Sequence, residues 1–190
     1  MNKNVQGHIF ALTANILWGL MAPIGKSALM EFSALSVTTF RMVGAAACFW
    51  LLSAFCKYEH VDHRDMLKIF FASLFALVFN QGVYIFGLSM TSPIDASIVT
   101  TTLPIVTMII AAIYLKEPIT NLKVLGIFVG AMGALTLILS SQTAGSGNGS
   151  IIGDLLCLVA QISFSIYLTV FKGLSQKYSP ITLNKWMFIY

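Results

Sequence analysis

Two sets of four polar positions share one spacing. His8, Asn15, Gly19 and Lys26 fall at i, i+7, i+11 and i+18, and Asp154, Gln161, Ser165 and Lys172 fall at the same intervals. The offset is 146 residues throughout, as from His8 to Asp154, without a gap. At 100° per residue each set occupies one helix face. Amides, a hydroxyl and charged groups on such a face can hydrogen-bond a polar solute, or they can tie one helix to another. Both sets lie in apolar runs long enough to cross a bilayer, where ionisable groups are costly. A polar face repeated inside a membrane belongs to architectures built from duplicated helix bundles.

Other side chains of this kind lie nearby. Arg41 sits about a third of the way into an apolar run, where a guanidinium needs a wet cavity or an acidic partner. With Lys26 it could attract a carboxylate; alternatively it pairs with Glu31 or Asp95, or snorkels to the headgroups. Asn80, Gln81 and Tyr84 fall near the middle of a third run, suited to a polar or zwitterionic solute or to interhelical hydrogen bonds. In a fourth run Ser97, Thr101 and Pro104 share a face, and Pro104 frees a backbone carbonyl at mid-membrane depth, as a hinge, a cavity wall or a static kink. Trp18, echoed by Phe164, could stack on a solute or simply fill space. Gly126 and Gly130, extended by Ala134, form a small-residue stripe for close helix packing, within the molecule or between the protomers of a homodimer.

The elements that carry these residues follow from composition. Hydrophobic residues make up 57% of the chain and charged residues 9%, too few to cover a soluble domain, which carries about 25%. Mean hydropathy is +0.85. Six apolar runs can be drawn, at about 9–30, 33–55, 66–88, 93–115, 122–139 and 151–171, each near the ~20 residues of a membrane-spanning helix. A seventh starts near Ile181. The first holds Pro23 and Lys26 and leads straight into another run, which marks an uncleaved helix rather than a signal peptide. The formal charge of +4 resides in loops: Lys3, then Lys57, Arg64 and Lys68, then Lys116 and Lys123, then Lys172, Lys177 and Lys185. With alternating helices these share one side, so the N-terminus is expected in the cytoplasm of a cell with a bacterial-type inner membrane. The basic residues form no aromatic-interleaved soluble patch, which argues against a nucleic-acid partner.

Five spans per copy is an odd number, so the second copy must be inverted. The echo continues past the stripe: Ser33-Ala34-Leu35-Ser36 aligns with Ser179-Pro180-Ile181-Thr182, and Phe40 with Trp186, but Arg41 aligns with Met187. The expected organisation is a first repeat over 1–140, a Gly/Ser-rich linker over 141–150 and the start of a second, inverted repeat over 151–190. A full second copy would need about four more spans beyond Tyr190.

Several of these residues together resemble a known family. They are Asn15-Ile16-Leu17-Trp18-Gly19 followed by Lys26, Arg41 in the second run, Ala96 to Pro104 and Leu115-Lys116-Glu117 in the fourth, and Gly126, Gly130 and Gly133 in the fifth. In order and spacing they resemble the EamA group of the drug/metabolite transporter superfamily. The resemblance implies an all-α polytopic membrane bundle of ten helices in two inverted five-helix repeats, here cut after about six and a half. It also implies secondary transport of a small metabolite, amino acid or drug-like solute, often outward, by alternating access. Asn15, Trp18, Lys26, Arg41, Asn80, Gln81, Tyr84, Thr101, Gln161 and Ser165 would line the solute path. The lipid bilayer and a small-molecule substrate are the expected partners.

Other chemistries are poorly served. His60-Val61-Asp62-His63 reads as a solvated loop rather than a metal site, and no His-Glu-x-x-His, phosphate-cradling or nucleophile motif occurs. No enzymatic activity or cofactor is expected. Cys48, Cys56 and Cys157 read as small buried hydrophobes. Asp95 and Asp154, at helix starts, could titrate during a transport cycle or only favour a helix N-terminus. The remaining readings are a non-transporting membrane scaffold, against which the duplicated polar stripe speaks, and a lipid-modifying membrane enzyme, which would need a richer juxtamembrane cluster of His, Asp or Glu.

Overall fold

The computed structural model describes residues 3–116, 118–143 and 150–190. Regular structure among them is helical. Five segments are long and apolar enough to cross a membrane: Val5–Glu31, Ala34–Ala54, His63–Met90, Pro93–Tyr114 and Ile151–Val170. These match five of the six expected runs to within a few residues. The fifth run falls in a helix over Asn121–Thr143, of which Asn121–Gly130 is the described apolar stretch. Residues 144–149 of the expected linker lie outside the described residues.

Proline divides two of the spans. The first consists of α1 (Lys3–Gly19) and α2 (Met21–Glu31). Pro23 has no N–H to give the Gly19 carbonyl, and the helices separate at Leu20. The second span is α3 (Ala34–Ala54). The third comprises α4 (His63–Ser73), a π-helix over Leu74–Gly82 and α5 (Val83–Met90). The fourth comprises α6 (Pro93–Thr100) and α7 (Leu103–Tyr114), with Pro104 in the first turn of α7. There the Thr100, Thr101 and Thr102 hydroxyls donate to the carbonyls of Ser97, Ile98 and Val99 at 2.6–2.7 Å. The remaining helices are α8 (Asn121–Thr143), α9 (Ile151–Val170), α10 (Lys172–Lys177) and α11 (Pro180–Met187).

The 146-residue echo extends to local geometry. Phe32 closes α2 with its N–H on the Ala28 carbonyl at 2.9 Å, and its echo Tyr178 closes α10 on Leu174 at 2.9 Å. Both caps are extended, with φ −122° and −116°. Ser33 then caps α3 by accepting from the Ser36 N–H at 3.2 Å, and Ser179 caps α11 from Thr182 at 3.3 Å. A hydroxyl in extended backbone just before a helix satisfies one of its orphan N–H groups.

Helix α9 lies at the centre, packed against α5, α7, the π-helix and α6, whereas α1 touches mainly α2. The buried apolar residues form two clusters. One joins Ile69, Ala72 and Leu77 to Leu174, Tyr178, Leu183 and Met187. The other joins Val37, Tyr84, Ile85 and Leu88 to Cys157 and Ala160. Outside them, large apolar side chains such as Phe10, Leu17, Phe40, Phe55 and Ile113 are exposed. That surface suits lipid, which satisfies apolar side chains and leaves backbone groups to be paired within helices. Cys157 is buried as expected, but Cys48 and Cys56 are exposed, on the outside of α3 and just past its end.

Candidate solute site

Closest packing occurs where α5 crosses α9. A Cβ on Gly87 would stand 2.7 Å from the Gly153 carbonyl, and one on Gly153 would stand 2.8 Å from the Gly87 carbonyl. Glycine at both positions lets the backbones touch. The Thr91 hydroxyl beside this crossing donates to Asp154 at 2.6 Å. The sequence reading missed this pair, because each is the one glycine of its helix and forms no glycine pair there. It expected close packing at Gly126, Gly130 and Ala134 instead. A Cβ at Gly126 or Gly130 meets nothing within 4 Å, and Ala134 lies outside the residues whose side chains are described.

Those two glycines line a groove of about 740 Å³ between α7 and α8, together with Thr101, Pro104, Met108 and Leu168. Pro104 thus stands in a cavity wall. Thr101, also on that wall, is exposed and spends its hydroxyl proton on its own helix.

A polar seam runs below the glycine crossing. Asn80, buried in the π-helix, donates to the Ala160 carbonyl of α9 at 2.9 Å. Ser163 donates to the Phe75 carbonyl at 2.8 Å, serving a backbone acceptor of the π-helix. Thr107 of α7 donates to Ser165 at 3.0 Å, and Ser165 donates to the Gln161 carbonyl at 2.9 Å. Gln161 is only 3% exposed, and its Oε1 has no hydrogen-bond partner. A buried acceptor left unpaired costs about 1–3 kcal/mol, so it calls for an explanation.

Successive residues of the π-helix face opposite partners. Asn80 reaches α9, and Gln81 reaches α3, where its Oε1 accepts from Arg41 Nη2 at 2.7 Å. The same nitrogen stands 3.5 Å from Met21 Sδ of α2. Arg41 is therefore turned inward between helices. Among the described residues no carboxylate pairs with it: Asp95 binds its own Ser92 cap, Asp154 takes Thr91, and Glu31 is exposed. Tyr84, buried one turn beyond Gln81, belongs to the same region.

Lys26 is used differently. Its ammonium donates to the carbonyls of Leu88, Ser89 and Thr91 at 2.9, 3.3 and 2.6 Å. All three of its protons thus serve the C-terminal end of α5, where a cation also suits the helix dipole. Asn15 is exposed and bonds only the Ala11 carbonyl of its own helix, at 2.8 Å. Trp18, 48% exposed, meets its echo Phe164 edge to face at 5.8 Å.

The Lys- and Arg-rich end carries a second polar cluster. Lys177 bridges Asp62 at 2.5 Å and buried Asp65 at 2.6 Å, and Tyr178 donates to Asp65 at 2.9 Å. The carboxylates, Asp62 first, hold the Lys177 ammonium above its usual pKa. Hydrogen bonds from Thr182 and then Ser179 hold the Glu59 carboxyl below its usual pKa. His60 and His63 are exposed beside this cluster.

With this geometry in hand, comparison with known proteins is decisive. Residues 5–139 match the EamA-like transporter family. The chain belongs to that family. An uncharacterized transporter of Archaeoglobus fulgidus is 29% identical over 93% of this chain and 60% of its own length. The uncharacterized transporter YyaM of Bacillus subtilis is 24% identical over 98% of this chain and 62% of its own. A chloroplastic WAT1-related protein of Arabidopsis thaliana is 27% identical over 89% of this chain and 41% of its own. This EamA-like chain thus spans about three fifths of the length of the first two relatives. No solved structure matches it. It is an all-α, multi-pass membrane protein of the drug/metabolite transporter superfamily.

Proposed function

We propose that this chain forms the solute-handling half of a secondary transporter. The transporter would move a small organic solute across the cytoplasmic membrane, outward, by alternating access between two inverted five-helix repeats. Residues 1–140 form the first repeat and 151–190 open the second, with the N-terminus in the cytoplasm.

The observation that carries this reading is the unpaired Gln161 carbonyl in the seam where the first helix of the second copy inserts into the first copy. A packing residue would have found a partner; an acceptor held ready at the interface of two repeats is suited to a solute donor. Asn80 and Tyr84 would line this region from the first copy, with Gln161 and Ser165 from the second, and Arg41 and Gln81 would meet the solute path from the opposite face of the third span. Asn15 and Trp18 would reach it from the far side once other helices cover α1. Pro104 and Thr101 bound the adjoining groove and give the fourth span a place to bend.

Solute counterflow in proteoliposomes tests the reading. Liposomes loaded with a mixed pool of amino acids and organic acids should accumulate labelled solute, and Gln161→Leu should abolish this while leaving the detergent-purified protein folded. Absence of counterflow for every solute class would leave a scaffold. Full counterflow in Gln161→Leu would remove the seam from the solute path.

A further inference from the structure

We infer that the solute carries a carboxylate and that Arg41 is the residue that reads it. The inference rests on the transport reading above and names the chemistry of its cargo.

Arg41 is the eighth residue of α3, about 10 Å along the helix from its start. It does not turn outward, because Gln81 and Met21 hold it against the interior. A charge at this depth needs an opposite charge or a wet surround. The acidic side chains able to serve, Glu31, Asp95 and Asp154, are exposed or already engaged elsewhere. A neutral amide and a thioether meet one of its two terminal nitrogens. The remaining donors, Nε–H and the N–H groups of the other terminal nitrogen, are open to carboxylate oxygens.

The other intramembrane cation cannot share this task, since Lys26 spends its protons on backbone carbonyls. Nor is the charge duplicated: the echo of Arg41 is Met187, 2% exposed and packed in an apolar cluster. Among the described residues the site thus offers one fixed cation, suited to one carboxylate. Gln81 acts as a positioning residue that fixes the guanidinium plane.

The test measures binding separately from transport. Thermal unfolding of the purified protein in neutral detergent is followed with acetate and benzoate, each beside its uncharged amide, and with inorganic phosphate. Carboxylates should stabilise the wild type more than their amides do. Arg41→Gln should weaken carboxylate binding about tenfold or more. Arg41→Lys, which keeps the charge without the planar guanidinium, should retain part of it. Unliganded unfolding and the gel-filtration profile serve as folding controls, and if Arg41→Gln fails them, Arg41→Lys and Gln81→Leu carry the test through graded losses of the carboxylate advantage. Equal shifts from acids and amides, or an acid advantage that survives in the Arg41 variants, would overturn the inference. So would stabilisation by phosphatidylglycerol over phosphatidylcholine that removes the carboxylate effect, since Arg41 would then hold a lipid phosphate. Counterflow of an uncharged solute without carboxylate binding would sink this inference and leave the transport reading standing. Carboxylate binding without counterflow of the bound acid would do the reverse.

Discussion

Helices α1 and α9 carry the same polar stripe in opposite surroundings. On α9, Gln161 and Ser165 are buried against helices of the first copy; on α1, Asn15 and Gly19 lie open. Gly153 of α9 touches the backbone of α5, yet its echo Gly7 has nothing within 4 Å. The difference teaches that periodicity marks which face of a helix is special, while topology decides what covers it. In an inverted pair, α9 is covered by first-copy helices, so α1 would be covered by their second-copy counterparts.

The sharpest way to break this comparison is to place the same side chain at both glycines. Gly153→Val should destabilise the protein by about 3 kcal/mol or more, since a Cβ there meets backbone that cannot yield. Gly7→Val should change little in this 190-residue chain. Thermal unfolding in detergent reads both, and an equal loss at Gly7 would mean that α1 is as tightly covered as α9.

The next contrast removes the ammonium cap. Lys26→Met leaves three carbonyls at the end of α5 without their charged donor and should cost about 1–3 kcal/mol. Hydrogen exchange should localise the loss to Leu88–Thr91; unchanged protection there would show that water replaces the lysine.

A smaller effect is expected at the stripe itself. Gln161→Leu removes a buried unpaired acceptor and should leave stability within about 1 kcal/mol of the wild type, or raise it, while Asn15→Leu changes it less. A marked loss of stability in Gln161→Leu would mean that the amide has a partner in the working protein.

The smallest effect is in pH. Glu59 has its carboxyl pKa lowered on folding, so its contribution is complete above the unfolded carboxylate value, about 4.3, and fades as pH falls through the lower folded value. Being partly exposed, it should contribute under about 1 kcal/mol. Glu59→Gln should flatten the acid limb of the stability profile slightly; an unchanged limb would remove the Ser179 and Thr182 hydrogen bonds from the account.

The spans were legible because hydropathy and length are local quantities, and so was a kink at Pro104, whose chemistry acts within four residues. The 146-residue echo was legible for the same reason, since it repeats local sequence. Partners across the fold were not. Lys26 caps carbonyls more than sixty residues away, and backbone acceptors leave no trace in side-chain identity. The π-helix was invisible because Leu74–Gly82 has ordinary helical composition; Ser163, on another helix, supplies the donor for one of its carbonyls. Gly87 and Gly153 escaped notice because a pattern search looks for pairs within one helix, whereas this pair spans two. Arg41 was recognised as costly, but its lack of a carboxylate partner among the described residues follows only from the fold, which engages Asp95 and Asp154 elsewhere and leaves Glu31 exposed.

Trp18 and Phe164 are counterparts that meet each other. Under the inverted-repeat reading proposed above, two equivalent groups in contact would stand next to the axis that relates their halves. An edge-to-face pair gives its members unequal roles, one offering a rim of hydrogens and the other a π-cloud. Two identical rings bound by strict twofold symmetry cannot divide those roles. Joining both halves in one polypeptide, as that reading has it, would lift that restriction, and an indole on one side with a phenyl on the other is the kind of asymmetry that a symmetric dimer of identical subunits could never encode.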